Sequence, residues 1–261
     1  MYEVIRVREH PLPTSIQEKE QFYASVAKQL LSEFAGEIVA IGLYGSMATG
    51  SVSRYSDIEM HVIITDNCTL KEHEFVYPPF KLELSVATEQ QFLEGATKVD
   101  DSWAIRTGIY MNILPLHDPS ELFKRARELP LLIDEQDIRA TMRIFMIWEP
   151  YETMGKIRGN MEMENFRYLP MGAYDLVWQT AKLIGLWNRI WYSTRAKTFQ
   201  EALAADSIPA GFEPLASRVL TGKLEDTKAV YACCEALWEG LNIWYEQLGI
   251  PYMEREMPQF K

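Results

Sequence analysis

Two short apolar runs, Glu37–Tyr44 (EIVAIGLY) and Asp57–Thr65 (DIEMHVIIT), flank a link rich in Gly, Ser and Thr. This unit constrains the fold more than any other part of the chain. The first run is rich in β-branched residues and fits a buried strand. In the second, Ile58, Met60, Val62 and Ile64 alternate with Asp57, Glu59 and His61, the period of a strand with one buried face. Lys81–Ala87 (KLELSVA) alternates in the same way, with Leu82 and Leu84 opposite Lys81 and Glu83. Ahead of these runs, Ser15–Phe34 reads as an amphipathic helix with Phe22, Val26, Leu30 and Leu31 on one stripe. Ser15 and Glu18 form a capping-box pattern at its start. Three strands with flanking helices predict an α+β N-terminal domain built on a mixed sheet.

Strand patterns fade in the second half. Helical periods run over Glu135–Arg158, Tyr174–Thr194, Thr198–Ala205 and Glu225–Gln247, and five of the seven Trp lie from Trp178 onward. Clustered at helical spacing, they read as the core of a helical bundle domain rather than as an aromatic ligand box. The break falls about Leu129–Asp134, which divides the chain into 1–127 and 128–261.

Charge narrows the partners. Lys and Arg total 26 against 37 Asp and Glu, a net of −11. Nucleic-acid binding needs clustered Lys and Arg, so this balance argues against it and suits a cationic partner. Between Asp57 and Asp101 stand ten acids and three bases, either a solvated face or a surface for that partner. Cys68, Cys233 and Cys234 form no zinc pattern, and two adjacent cysteines are poorly placed for an ordinary disulfide. The N-terminus lacks the apolar core of a leader, and no apolar run reaches membrane-spanning length. The expectation is a cytoplasmic protein with no membrane contact.

The chemistry gathers at the strand–link–strand unit. Asp57 and Glu59, two apart on a strand, point to one face and can share a divalent ion such as Mg²⁺. Gly45 lets backbone N–H groups approach a phosphate, and Ser46 adds a hydroxyl donor. Either feature alone is ordinary. An Asp-x-Glu strand opening with ten residues between it and a Gly-Ser strand end is much more specific, and it resembles the signature of the nucleotidyltransferase superfamily that includes DNA polymerase beta.

A closer resemblance runs along nearly the whole chain. Ala40–Ser46, Tyr55–Met60, Ile113–Pro115, Gly155-Lys156 with Arg158, Tyr168–Pro170, Leu183–Leu186 and Leu220–Leu224 are similar to stretches of the aminoglycoside 4′-O-nucleotidyltransferase family, the kanamycin nucleotidyltransferases. That resemblance implies an enzyme moving AMP from Mg-ATP to the 4′-hydroxyl of kanamycin-type antibiotics, releasing pyrophosphate and conferring resistance. It implies Asp57 and Glu59 as metal ligands, and Ser46 and Lys156 as phosphate contacts; Gly45, Thr49 and Ser56 complete the expected nucleotide cradle. It implies Glu152 as catalytic base beside Lys156, and Glu74 and Glu83 in the antibiotic site. It also implies a homodimer with each active site shared between subunits. Thr49 stands where the family carries a basic residue, with Arg54 nearby as a substitute. Read from the residues alone, Glu152 and Lys156 are spaced i, i+4 on a helix face, the spacing of an ordinary exposed ion pair. Pro150 either kinks that helix or starts a new one. Glu83 is either a third metal carboxylate or a ligand for substrate amines. Asp101 is either a helix cap or part of an anionic rim, and His61 either a satisfied histidine or a site residue. The alternatives are a related enzyme for another antibiotic hydroxyl, as on a lincosamide, or a non-catalytic antitoxin-like homologue.

Overall fold

The computed structural model describes residues 10–254 and 256–257. Residues 1–9, where the absence of a leader was read, lie outside them. Contacts divide the chain into two compact units, 1–98 with 107–132, and 99–106 with 133–261. Segment 99–106 therefore packs with the helical unit, an exchange that a single cut between 127 and 128 does not describe.

The first unit contains α1 (Ile16–Glu33), β1 (Ile38–Leu43), α2 (Gly45–Thr49), β2 (Ile58–Ile64), β3 (His73–Tyr77), β4 (Phe80–Thr88) and α3 (Glu89–Thr97). After the exchanged segment, which holds α4 (Trp103–Arg106), it continues with α5 (Gly108–Met111), β5 (Leu114–His117) and α6 (Leu122–Glu128). The sheet order is β3-β4-β2-β1-β5. β2 and β4 are parallel and the other pairs antiparallel, so the sheet is mixed. The sequence announced three strands. The two it did not announce are the short edge strands, where β3 buries no side chain and β5 carries Pro115, a residue that edges tolerate. The helix start was legible: Ser15 Oγ accepts from Glu18 N and Glu18 Oε2 accepts from Ser15 N at 2.6 Å.

Alternation decides the two faces of this sheet. Leu43, Ile58, Met60, Leu82 and Leu84 bury one face with Ala27 and Leu30 of α1. On the other, Phe92 of α3, Tyr110 of α5 and Phe123 of α6 bury Ala40 and Ile63. Each such fully buried side chain contributes roughly 1.5–3 kcal/mol.

The second unit holds α4, then α7 (Glu135–Met146), a π turn (Ile147–Tyr151), α8 (Glu152–Glu162), α9 (Leu169–Trp187), α10 (Thr198–Leu203), α11 (Phe212–Thr221) and α12 (Thr227–Leu248). α9 is buried on nearly every side, as befits the central helix of a bundle. Gly185 of α9 makes room for α4, since a Cβ there would lie 2.5 Å from the Ala104 Cβ. Trp244 is buried, and Trp178, Trp187, Trp191 and Trp238 pack against the same core, the role their spacing indicated. α11 escaped the sequence reading because it opens without a side-chain cap, at Gly211 with φ +81°. Among the described residues no helix is long and apolar enough to cross a membrane.

Candidate active site

The parallel β2–β4 register sets Glu59 opposite Glu83, His61 opposite Ser85 and Ile63 opposite Ala87. These six side chains share the face away from α1. That face passes along each strand from carboxylate to core. Asp57 stands just before β2, and the antiparallel β3 places Glu74 opposite Glu83. Glu59, Glu83 and Glu74 thus form a lateral row across three strands. Directly opposed like charges weaken a sheet, so packing alone does not account for the row.

Two residues that the sequence reading passed over hold this row. The Lys81 ammonium lies 2.8 Å from Glu74 Oε1 and 3.2 Å from Asp57 Oδ2. The bond to Glu74 first, and then Asp57, raise its pKa. The Tyr44 hydroxyl donates to Glu83 Oε1 at 2.7 Å, and its ring stacks on His61 with centroids 4.2 Å apart. Burial, then the Glu83 bond, push the Tyr44 pKa far up, so Tyr44 remains a donor. Lys81 was legible in principle, because it shares the polar face with Glu83. Tyr44 was masked by its place at the end of an apolar run.

Glu59 feels the crowding most. Burial, then Asp57 and Glu83, push its carboxyl up to about 7, against an opposing pull from Lys81. A cation held between Asp57 and Glu59 would relieve that cost. Among the described residues no group of three or more His, Cys, Asp or Glu is arranged to hold a metal ion. Two carboxylates are too few to complete the shell of a divalent ion, so such an ion would take its remaining oxygen ligands from elsewhere. His61 is buried, its Nε2 lies 3.2 Å from the Ile109 carbonyl, and burial lowers its pKa to about 4. It is a satisfied core histidine.

The link contains a short helix where a turn was expected. Five small or flexible residues form α2, too few for a periodicity to show, and Gly50 closes it at φ +71°. Gly45 is favoured by its φ of +64°, and a Cβ there would also push the Glu59 carboxylate, 1.8 Å away, out of its present place. The neighbouring Ser46 Oγ is buried without a hydrogen-bond partner. Thr49 spends its hydroxyl on the Gly45 and Ser46 carbonyls and on Ser51. The Ser56 hydroxyl accepts from Ser53 N at 2.9 Å. The Arg54 carbonyl accepts from Thr14 N at 2.8 Å and from the buried Lys19 ammonium at 3.3 Å, which pins the link just ahead of Asp57.

In the helical unit, Lys156 Nζ lies 2.8 Å from Glu152 Oε1, with both side chains about half exposed. Pro150 comes just before α8 opens at Glu152. It sits inside the π turn that joins α7 to α8. The wider turn accommodates a residue that has no N–H and whose ring would clash in an α-helix. Asp101 pairs with Lys182, and Asp100 accepts from Ser102 N and binds Arg106. These two acids are thus engaged within the helical unit around α4.

Residues 120–251, half of the chain, match the family described as KNTase C-terminal domain. Over 239 residues the chain is 26% identical to a protein of Staphylococcus aureus named aminoglycoside nucleotidyltransferase (4'), covering 92% of this chain and 94% of the relative. A protein of the same name from Bacillus sp. matches to the same extent. A solved nucleotidyltransferase-like protein from Exiguobacterium sibiricum 255-15 shares the fold, with a TM-score of 0.55 at 11% identity, over 87% of this chain and 78% of that one. By the match over its second half, the chain belongs to the KNTase C-terminal domain family.

Proposed function

We propose that this protein is an aminoglycoside nucleotidyltransferase that moves AMP from ATP to the 4′-hydroxyl of kanamycin-type antibiotics. The observation that carries the reading is the carboxylate row beside an unpartnered buried hydroxyl: Asp57, Glu59, Glu83 and Glu74 next to Ser46. Relatives named for aminoglycoside (4') nucleotidyltransfer support the substrate class.

In this reading the 4′-oxygen attacks the α-phosphorus, the bond to the β-phosphate oxygen breaks, and pyrophosphate leaves. Glu152 accepts the proton of the attacking hydroxyl. Mg²⁺, when bound by Asp57 and Glu59, supplies charge stabilisation at the reacting phosphate. The Ser46 hydroxyl donates to a phosphate oxygen, with Gly45, Thr49 and Ser56 shaping the cradle around it. Lys156 offsets phosphate charge. Glu74 and Glu83 take the antibiotic's ammonium groups. Asp101 joins them in the rim; Asp101 and Glu74 each hold a lysine that a substrate ammonium would replace. The ester adds a bulky anion and removes a hydroxyl, which accounts for resistance, and the ATP donor places the reaction in the cytoplasm.

Each active site is shared between the subunits of a homodimer. The support is a local concentration of exposed apolar side chains just ahead of Glu152: Ile144, Ile147, Trp148 and Tyr151. Isolated exposed apolar residues are ordinary, but a local concentration of them marks an interface.

The test follows pyrophosphate release with ATP, Mg²⁺ and kanamycin, and then with gentamicin, which has no 4′-hydroxyl. Turnover with kanamycin alone is expected. No turnover with kanamycin refutes the reading, and equal turnover with gentamicin refutes the 4′ assignment.

A further inference from the structure

Gln179 of α9 is a buried polar residue that the chemistry above does not use. Its side-chain amide bridges the π turn. Nε2 donates to Glu149 Oε2 and to Thr153 Oγ1, both at 2.9 Å. Glu149 lies within the turn and Thr153 just beyond it, so one amide grips both sides of Glu152. Its other atom, Oε1, is buried with no hydrogen-bond partner.

A buried amide left half satisfied is a poor choice for stability alone. Leu or Met would fill the same space without an orphaned acceptor. A π turn carries an extra residue relative to an α-helix, so everything after it is rotated relative to a straight continuation. Glu152 is the first residue after the turn, and its direction depends on whether the turn keeps that extra residue. Pro150 disfavours the α-helical alternative at one point. The Gln179 bridge holds the geometry on both sides.

We propose that Gln179 is a positioning residue for Glu152, fixing the π turn so that the carboxylate is aimed for proton transfer. The proposal rests on the reading of Glu152 as the base. Small misplacements of a catalytic group cost large factors in rate and little in binding.

The test compares Gln179→Leu, Glu149→Leu, Glu149→Gln and Glu152→Gln in the full-length protein, with ATP, Mg²⁺ and kanamycin. Gln179→Leu is expected to lower kcat about tenfold or more with both KM values within about twofold and an unchanged or higher Tm. Glu149→Leu, a change at an exposed site that does not threaten folding, should match it. Glu149→Gln keeps an acceptor and should retain most of the activity. In the Glu152→Gln background, Gln179→Leu should cost nothing further. KM values that rise together with a falling Tm would show a merely structural role and overturn the proposal. So would a Gln179→Leu loss that persists in full without Glu152, or Glu149→Gln as poor as Glu149→Leu. If Glu152→Gln alone keeps full kcat, the base assignment itself has failed, a result distinct from the others. If that variant has no measurable activity, the two Glu149 variants decide.

Discussion

Glu59 and Glu83 face each other in register across the parallel β2–β4 pair, on the same side of the sheet. With Asp57 close by, they concentrate negative charge where the sheet would otherwise continue as core. The first consequence is a pH dependence. The Glu59 carboxyl titrates at about 7 in the folded protein and near its ordinary 4.5 when unfolded. Between those values the folded state holds a proton that the unfolded chain has released. Stability from this group is therefore complete below 4.5 and declines as pH rises through about 7. Thermal melting of wild type and Glu59→Gln across pH 4 to 9 measures it. The variant should gain on wild type steadily through that window, and Mg²⁺ with nucleotide should raise wild-type Tm more at pH 8 than at pH 5. A difference that stays constant with pH would contradict this account.

Asp57→Asn separates chemistry from folding. Its salt bridge to Lys81 is partly exposed and worth at most about 1 kcal/mol. Removing one carboxylate also eases the burden on Glu59, so Tm should move little. If Asp57 is a metal ligand as proposed, activity should fall by roughly 10³ or more. Circular dichroism and pyrophosphate release on one preparation test both halves. Retained activity would remove Asp57 from the metal site.

Gly45→Ala should damage stability and activity together. The new Cβ meets both a left-handed backbone and the Glu59 carboxylate. The strain costs about 1–3 kcal/mol, and displacing Glu59 disturbs the site that it serves. Denaturant melts and kcat report the two effects. A variant that folds normally and works normally would show that Glu59 can swing away without consequence.

His61 should act against Glu59, costing the protein stability as pH falls. Folded, it titrates at about 4. Unfolded, it titrates at about 6.5, so the unfolded chain gains a proton first as pH falls. Stability is therefore lost between roughly pH 6.5 and 4. His61→Phe should remove that slope, at a cost of about 1–3 kcal/mol at neutral pH for the orphaned Ile109 carbonyl. Glu59 acts in the opposite direction over much of this range, so the decisive quantity is the difference in Tm between the two proteins, which should shift toward His61→Phe from pH 7 to 5.

What the sequence disclosed follows from where physics is local. β1, β2 and β4 were legible because alternation is written into adjacent residues, and α1 because Ser15 and Glu18 cap it within four positions. The grouping of Asp57 with Glu59 needed only the pleat. Tyr44 and Lys81 were not singled out, since their partners Glu83 and Asp57 lie 39 and 24 residues away and only pairing brings them close. Gln179 lies 30 residues from Glu149, and no local pattern marks it. The π turn combines both cases. Pro150 announced an irregularity, but its form depended on α9 packing alongside.

The pleat that gathers the acid row also limits how the strands can change. Along β4, Glu83 lies between Leu82 and Leu84, which belong to the opposite core. Inserting or deleting one residue ahead of them would turn a leucine toward the site and drive Glu83 beneath α1. Such a frame change would break up the acid row and the core together. The strands should therefore tolerate exchange of side chains but not changes of length.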